Sequence, residues 1–430
     1  MSDSIKWVRQ VWTNHTTACL FFIALFFRVL ALPFFPEPIG QEHLEIAQHL
    51  LRGGGYVYEH DYPSTYLAPF YIYCLYYSLK FFSPVWGLLL IKFFQIILSA
   101  GLAPILYRFG ERIFDRKVGL TAAFVFVGHP LFVALPSTLV VDAFLIPWLY
   151  ILVFLVLLWA SSWNGIKAIV IGIFSGIALL TKMRSLAFLL PLWGWLLFPH
   201  LRRLFPFSPG KEERKGKLFP PCPLYVLILM VVTCLLVIAP WSIRNYQVSG
   251  SFGLEHNIGY NFWMGSNPQA NGLGKYSPTQ IRFPRSPELV NKLNQAKNDF
   301  ERDRIFLREG LDFWRSHLGQ GIYLTIKKIF LFWWIDTINP KTQGVLYLIP
   351  AVLISLFALG GLLFYPGFQW RGLSGVFLVV LGLHYLSIVI TFYIPRLRLS
   401  VEPILFLYAA AFWKQLLKKK NDLLLELKLK

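Results

Sequence analysis

Long apolar runs, separated by short polar segments, dominate the pattern of this chain. Each of ten runs approaches the about 20 residues that a helix needs to cross a bilayer. The runs lie near residues 17–35, 86–107, 118–136, 143–161, 166–181, 185–199, 222–240, 344–365, 374–394 and 401–416. Backbone polar groups in lipid must be hydrogen-bonded within the chain, so the runs predict helices. The pattern indicates an all-α polytopic membrane protein with about ten transmembrane helices, the fifth and sixth short enough for a tight or re-entrant hairpin.

Basic residues mark one side of the membrane. Lys6, Arg9 and the segments 108–117, 200–217 and 414–420 are strongly basic and flank apolar runs. Cytoplasmic loops carry such an excess of Lys and Arg, so we place all of them in the cytoplasm. Two long loops, 36–85 and 241–343, then lie outside. This divides the chain into a module 1–240 that contains the first outer loop, an outer region 241–343, and C-terminal helices with a basic tail, 344–430.

The segment 322–334 is apolar but carries two adjacent lysines, Lys327 and Lys328, at its middle. A span here would bury both charges in hydrocarbon and turn the basic C-terminal tail outward. We therefore expect an amphipathic helix at the outer interface, with its tryptophans at headgroup level.

Composition agrees with a membrane protein and limits the function. The chain is 56% hydrophobic with a mean hydropathy of +0.54, and its net charge is +19. The charge sits at the ends of apolar runs, which argues against nucleic-acid binding. None of the four cysteines forms a C-x-x-C pair, so neither a zinc site nor a disulfide framework is indicated.

The first outer loop opens with a polar helix. In "EHLEIAQHLLRGGG", Leu44, Ala47, Leu50 and Leu51 form an apolar stripe, and three glycines end the helix. The other face carries Glu42, Glu45 and His49. A solvated loop helix fits the pattern, and so does a helix that offers a carboxylate to a site at the membrane surface.

Charged residues at the predicted outer ends of the spans need an explanation. Asp142 is an isolated acid between two apolar runs, and Lys182 and Arg184 lie in the outer turn between the fifth and sixth spans. Further outer cations are Arg244, Arg396 and Arg398. Arginine binds phosphate in a bidentate manner and lysine binds it as a point charge, although snorkelling to lipid headgroups is an equal alternative.

An aromatic and amide-rich set could contact a sugar. Tyr66 lies in the first outer loop, and Tyr260, Trp263 and Asn267 lie in "GYNFWMGSNPQANG". Such a loop can hydrogen-bond hydroxyls and cover sugar faces, or it can simply be turn-rich packing. Outer carboxylates, cations and aromatics together suit a lipid with a phosphate at headgroup depth, with a carboxylate as general base for an acceptor hydroxyl.

Five motifs, in order, resemble the GT-C glycosyltransferases, in the family 39-like branch related to protein mannosyltransferases and aminoarabinose transferases. They are "EHLEIAQHLLRGGGY" with "PSTYLAPFYIY", "HPLFVALPSTLVVDAF", "GIFSGIALLTKMRSLAFLLPL", "APWSIRNYQVSGSF" with "NFWMGSNPQANG", and "IPRLRLSVEPILFLYAA". The resemblance implies a GT-C-type fold and an inverting transfer of a sugar from a polyprenyl-phosphate donor to a hydroxyl on the extracytoplasmic face.

The resemblance also implies roles for residues. Glu42 matches the family's catalytic base, in a position where many members have Asp-Glu and this chain has Gln41-Glu42; Asp61 is the nearby substitute. Asp142 matches the second acidic position. Lys182 stands where the family commonly has Arg or Asn, with Arg184 as the alternative source of that charge, and Arg396 and Arg398 match the family's donor-phosphate turn.

Several alternatives stay open at this point. No cofactor is required, but Mg²⁺ or Mn²⁺ bridging Glu42, Asp142 and the phosphate is a second model. The chain could instead be a lipid-linked sugar flippase, an O-antigen-ligase-like transferase with a lipid-diphosphate donor, or a non-catalytic member. The acceptor could be a lipid, a glycan or a protein. The expected location is a bacterial inner membrane, as part of the cell-envelope machinery.

Overall fold

The computed structural model describes residues 3–35, 41–160, 162–204, 222–274, 277, 283–333, 344–364 and 372–428. Within these ranges the chain is helical, and its β-structure consists of two isolated bridges, Val57 with Pro63 and Leu273 with Tyr393. The prediction of an all-α protein is confirmed.

The helices of the N-terminal module are α1 (Asp3–Ala31), α2 (Gln41–Leu51), α3 (Phe70–Phe81), α4 (Pro84–Ile113), α5 (Arg116–Gly128), α6 (Pro130–Ala134), α7 (Asp142–Trp159), α8 (Gly165–Thr181), α9 (Leu186–Leu204) and α10 (Leu224–Ser249). Those that follow are α11 (Ile258–Met264), α12 (Pro287–Gln295), α13 (Asp299–Ser316), α14 (Leu318–Trp333), α15 (Val345–Phe364), α16 (Leu373–Ile390), α17 (Pro395–Arg398) and α18 (Glu402–Lys428).

Each of the ten predicted apolar runs overlaps a helix. Among the described residues, five helices are long and apolar enough to cross a membrane, namely His15–Phe34, α4, α7, α10 and α16. A sixth is added if α5 and the bent segment Pro130–Ser137 count as one span, and three shorter apolar helices lie at Gly165–Thr181, Met183–Phe198 and Leu348–Phe364. The chain is thus an integral membrane protein, and the number of ten spans stays a prediction.

Two of the predicted apolar runs, 118–136 and 222–240, differ in the structure from single helices with those bounds, and each contains a proline. The run 118–136 is not one straight helix, because Pro130 follows α5 and the chain bends by 61° there. Pro240, expected to end the seventh helix, lies inside α10, which continues to Ser249. The helix ends instead at Gly250, whose φ of 71° is the left-handed conformation of a helix C-cap. The predicted boundary at residue 240 therefore falls inside a helix.

Side chains that cap helix N-termini explain several starts. Asp115 accepts hydrogen bonds from two backbone N–H groups of α5, and Asn164 accepts one at the start of α8. Ser286 and Asn298 cap α12 and α13 in the same way. Short polar side chains at these positions satisfy backbone donors that have no partner within the helix.

Contacts at one end of the bundle join the segments predicted to be cytoplasmic. Lys414 of α18 forms an ion pair with Asp115 at the start of α5. The guanidinium of Arg116 lies 3.5 Å from the Thr16 hydroxyl in α1. The basic segment 200–217 lies mostly outside the described residues. The contacts place three chain segments of one predicted side together, as the charge pattern requires.

Helix α14 covers most of the segment predicted to lie at the interface; Trp334 lies outside the described residues. Lys328 is fully buried, and its ammonium donates a 2.9 Å hydrogen bond to the Thr391 carbonyl, just beyond the end of α16. A cation there offsets the negative end of a helix dipole. The lysine that argued against a span is thus buried against α16.

Candidate active site

Asp142 is the centre of a buried ionic cluster. It is the first residue of α7, where a negative charge is favoured by the helix dipole, and its side chain has no exposed surface. Arg184 Nη2 lies 2.9 Å from Oδ1 and donates a hydrogen bond to it, and Lys182 Nζ lies 4.0 Å from the same oxygen. Arg396 Nε approaches Oδ2 at 3.3 Å. Both atoms of this last pair are buried without a hydrogen bond, so it is an ion pair rather than an aligned bond.

The cations are more accessible than the acid that they surround. The side chains of Arg184, Lys182 and Arg396 are 15%, 24% and 42% exposed, whereas that of Asp142 is 0% exposed. The carboxylate is therefore more deeply buried than its partners, and part of each cationic side chain stays accessible.

A short turn between α8 and α9 presents Lys182 and Arg184. The Ser185 hydroxyl donates to the carbonyls of Ala178 and Lys182, at 2.9 Å and 2.8 Å. The backbone N–H of Met183 donates to the Glu255 carboxylate at 3.0 Å. Desolvation in the site lowers the pKa of Lys182 to about 8.

The turn α17 brings Arg396 to Asp142. The His384 ring on α16 makes a 2.7 Å hydrogen bond through Nε2 to the Leu397 carbonyl, and the Tyr150 hydroxyl donates to Ser400 O. Just before this turn, Tyr393 pairs with the loop at Gly272 through backbone hydrogen bonds of 3.0 Å. The turn is thus anchored by α16, α7 and the second outer region.

Helix α2 links the cluster to the first outer loop. His43 is buried, and its ring meets that of Tyr71 edge-on at 5.6 Å. Burial, followed by the charges of Lys182 and Arg396, lowers the pKa of His43 to about 3, so the ring is neutral at neutral pH. The apolar stripe differs slightly from expectation, because Leu51 is exposed and His43 is buried with Leu44.

Glu42 is exposed and lies beside two tyrosines. The rings of Tyr58 and Tyr66 stack at 5.5 Å, and Tyr66 meets Tyr260 edge-on at 6.2 Å. Burial first, and the Glu42 carboxylate second, raise the pKa of Tyr58 and of Tyr66. The carboxylate thus faces an aromatic surface that includes two of the predicted sugar-contact residues.

The other two predicted sugar contacts are inside the protein. Trp263 is buried between α11 and α13, with its ring 5.1 Å from that of Phe306. The Asn267 amide donates to Trp263 O and its oxygen accepts from Gln269 N–H, so it shapes the loop. Tyr66 and Tyr260 thus belong to the aromatic surface near Glu42, whereas Trp263 and Asn267 have partners within the protein.

Arg244 lies in a different setting from the Asp142 cluster. Its guanidinium donates to the Ser64 carbonyl at 2.5 Å and lies over the rings of Trp241 and Tyr56, at 4.7 Å and 5.3 Å from their centres. These contacts hold the first outer loop against α10. The structure thus gives Arg244 partners within the protein, and its contact with a phosphate stays a prediction.

Arg398 is buried and also has internal partners. It donates to Phe332 O at 2.9 Å and pairs with Glu402 at 3.3 Å, and Glu402 lies 3.9 Å from His129. Arg398 therefore joins α17 to α14 and α18, while Arg396, two residues earlier, reaches Asp142. The two arginines of the predicted donor-phosphate turn therefore have different partners.

Asp61 is exposed in the first outer loop, next to Tyr62, whose hydroxyl lies 3.4 Å from Asp299. Asp299 also accepts hydrogen bonds from the Ser64 hydroxyl and from Thr65 N–H, at 2.6 Å and 2.7 Å. The side of the loop that carries Asp61 is thus fixed by α13.

Two buried residues of the site were missed from sequence. The sequence patterns singled out neither His43 nor Glu255. The available signal for His43 was its place next to Leu44 on the apolar side of α2. Nothing in the sequence near Glu255 points to Met183, which lies 72 residues earlier.

The family model described as dolichyl-phosphate-mannose-protein mannosyltransferase matches residues 67–208. This range includes Asp142, Lys182 and Arg184, and excludes Glu42 and Arg396. The resemblance inferred from sequence is confirmed over this part of the chain. No curated protein matches the chain.

Solved structures with similar helix arrangements include the archaeal oligosaccharyltransferase AglB from Archaeoglobus fulgidus, in complex with an inhibitory peptide and a dolichol-phosphate. The identity is 13% and the TM-score 0.46, over 95% of this chain and 51% of that one, so this chain spans about half of its length. ArnT from Cupriavidus metallidurans, bound to undecaprenyl phosphate, matches at 14% identity and a TM-score of 0.37, over 94% of this chain and 77% of that one.

Proposed function

We propose that this chain is an inverting glycosyltransferase of the GT-C type, which moves a sugar from a polyprenyl-phosphate donor to an acceptor hydroxyl on the extracytoplasmic membrane face. The observation that carries the proposal is the group of three partly exposed cations over one buried carboxylate, at the junction of apolar helices. A lipid phosphate would meet those cations while its tail stays in the bilayer. The family match over residues 67–208 supports this reading.

In this reaction the bond between the anomeric carbon and the phosphate oxygen breaks, and its electron pair stays on the phosphate. Lys182, Arg184 and Arg396 would stabilise the charge that develops there, as preorganised electrostatic partners. The acceptor oxygen attacks from the opposite side of the sugar, which inverts the anomeric centre. Its proton passes to a carboxylate.

Glu42 is the better candidate for that carboxylate. Asp142 is surrounded by three cations that favour its charged form, which makes it a weak proton acceptor and a good organiser of the phosphate site. Glu42 is exposed beside the Tyr58–Tyr66 pair, where an acceptor sugar or hydroxyl could rest on the rings. Asp61 is the remaining alternative.

The cluster disfavours a divalent ion at Asp142, because both carboxylate oxygens already face cationic side chains. We therefore propose that the cations of the chain itself neutralise the phosphate, and that Mg²⁺ or Mn²⁺ is not required. Turnover that depends on added metal and stops with a chelator would contradict this.

The test is turnover by Glu42→Gln protein in liposomes, with labelled polyprenyl-phosphate sugars and membrane extract as the source of acceptor. General-base catalysis contributes about 10²–10⁴-fold, so we expect the variant to bind donor normally and to lose at least about 100-fold in kcat. Glu45→Gln is the matched control, since Glu45 is an exposed acid on the same helix, and it should keep wild-type turnover.

Each other outcome points elsewhere. Full turnover by Glu42→Gln would move the base to Asp61 or Asp142. Turnover only of lipid-diphosphate sugars would favour a ligase-like enzyme. Movement of donor across the bilayer without release of polyprenyl phosphate would favour a flippase.

A further inference from the structure

Glu255 is a buried acid whose carboxylate contacts the backbone of the Lys182–Arg184 turn. It follows the C-cap of α10 and precedes α11, and its carboxylate accepts the Met183 N–H at 3.0 Å. Met183 is flanked by Lys182 and Arg184. The two cations of the turn thus have one acid contact at Asp142 and a second acid behind their backbone.

The charge of Glu255 acts on the same two cations. Burial raises the pKa of Glu255, and Lys182, the Met183 N–H and Arg184 oppose that rise. These neighbours stabilise the ionised carboxylate within a buried setting. When Glu255 is ionised, its charge and that of Asp142 offset two of the three positive charges of Lys182, Arg184 and Arg396, which leaves a small positive excess instead of a large one.

The residues after Glu255 fix its position. His256 N–H donates to Thr65 O at 2.8 Å, and the Asn257 amide donates to Tyr66 O at 2.9 Å. Three consecutive residues therefore join the cationic turn to the part of the first outer loop that carries Tyr66. A carboxylate held this firmly sets the local charge without direct contact with a substrate.

The net positive charge of the cluster matters because the negative charge of the bound phosphate increases during the reaction. The donor is a phosphodiester with one negative charge, whereas the released lipid phosphate is a monoester with about −1.5 to −2 at neutral pH. Cations that suit the donor will hold the more negative product more tightly. A fixed acid next to them weakens that hold and lets the product leave.

We propose that Glu255 is a positioning residue that sets the anion affinity of the Lys182–Arg184 turn and thereby permits release of the lipid-phosphate product. This inference rests on the function proposed above and adds a residue and a step to it. It assigns Glu255 a charge effect on product affinity that is separable from its hydrogen bond to Met183.

Glu255→Gln separates the two, because the amide oxygen can still accept the Met183 N–H while the charge is lost. We expect undecaprenyl phosphate to bind about tenfold more tightly to this variant, from the loss of one nearby negative charge in a partly desolvated site. Under saturating donor, kcat should fall as product release slows. Glu255→Ala also loses the hydrogen bond, so the turn loosens and binding should not tighten.

The measurements are the Kd for undecaprenyl phosphate in nanodiscs and its inhibition constant in the turnover assay, with thermal unfolding as a check of folding. Glu288→Gln, an exposed acid on α12, is the control and should match wild type. Glu255→Asp keeps the charge and should bind as wild type does. It also answers the question if Glu255→Gln does not fold, because a shift of tenfold in Glu255→Asp would overturn the charge role.

The two proposals fail in different ways. If wild type does not bind undecaprenyl phosphate at all, the proposed function is wrong. If wild type binds it and folded Glu255→Gln has the same Kd and inhibition constant, the role of Glu255 is structural and this inference is overturned, while the proposed function stands.

Discussion

Lys182 and Asp142 are neighbours in one ionic cluster but differ in burial and in role. Asp142 is fully buried and neutralised, so it organises its partners. The Lys182 side chain is 24% exposed, and desolvation brings its pKa down to about 8, within the range of ordinary buffers. The proposed phosphate site therefore contains one cation whose charge depends on pH and two guanidiniums whose charge does not.

A pH dependence of binding follows at this scale. As pH rises through about 8, Lys182 loses its proton and the site loses a positive charge. We expect the Kd for undecaprenyl phosphate to increase between about pH 7 and about pH 9, a window above the second pKa of the phosphate, about 6, in which its own charge changes little. Lys182→Arg keeps its charge and should flatten the profile. The same pH profile in both proteins would show that Lys182 is not the titrating group.

At the scale of elements, α8 and α10 pack closely through glycines of α8. A Cβ on Gly172 would lie 2.6 Å from Met230 O and 2.6 Å from Thr233 Cβ, and one on Gly176 would lie 2.6 Å from a methyl of Val237. Small residues let membrane helices approach in this way. Because the Lys182–Arg184 turn follows α8 directly, this packing fixes where the turn lies relative to Glu255, which follows α10.

Overpacking this interface should separate the two helices. Gly172→Val is expected to destabilise the protein by about 1–3 kcal/mol, since neither a carbonyl oxygen nor a β-branched side chain can yield cheaply. Gly194→Val on α9 is the matched control, because a Cβ there meets no atom within 4 Å. Thermal unfolding in detergent measures both. Equal midpoints would show that the α8–α10 contact is not a close-packed one.

For the whole molecule, the two ends of the bundle differ in kind. One end holds the Asp142 cluster and the outer loops, and the other joins α1, α5 and α18 through Arg116 and the Asp115–Lys414 pair. The charge pattern predicts that the second end is cytoplasmic. The structure agrees on which segments share an end, and the side of the membrane remains a prediction.

Labelling from outside the cell tests the orientation. In a cysteine-free background, Glu45→Cys on α2 should react with a membrane-impermeant maleimide in intact cells, because Glu45 is exposed at the outer end. Lys419→Cys on α18 is exposed too, but it should react only after permeabilisation. The reverse pattern would invert the topology and place the Asp142 cluster in the cytoplasm.

The amino-acid sequence was sufficient to predict the class of protein and where its apolar helices lie. Hydrophobic runs report transfer into lipid, which depends on local composition, so the ten runs all correspond to helices. It also determined which charged residues needed an explanation, because an isolated acid such as Asp142 is costly wherever its span lies. The family resemblance over residues 67–208 could also be recognised from the sequence, because it depends on motifs and their order along the chain.

Which of those charged residues contact one another depends on the tertiary structure. Arg184 and Arg396 reach Asp142, whereas Arg244 binds the first outer loop and Arg398 joins three helices. The sequence does not distinguish these arginines, because they are chemically identical. Their partners depend on where helix packing directs each side chain. Glu255 makes the same point: it reaches Met183 across 72 residues, and its charge matters only because burial there removes the water that would screen it.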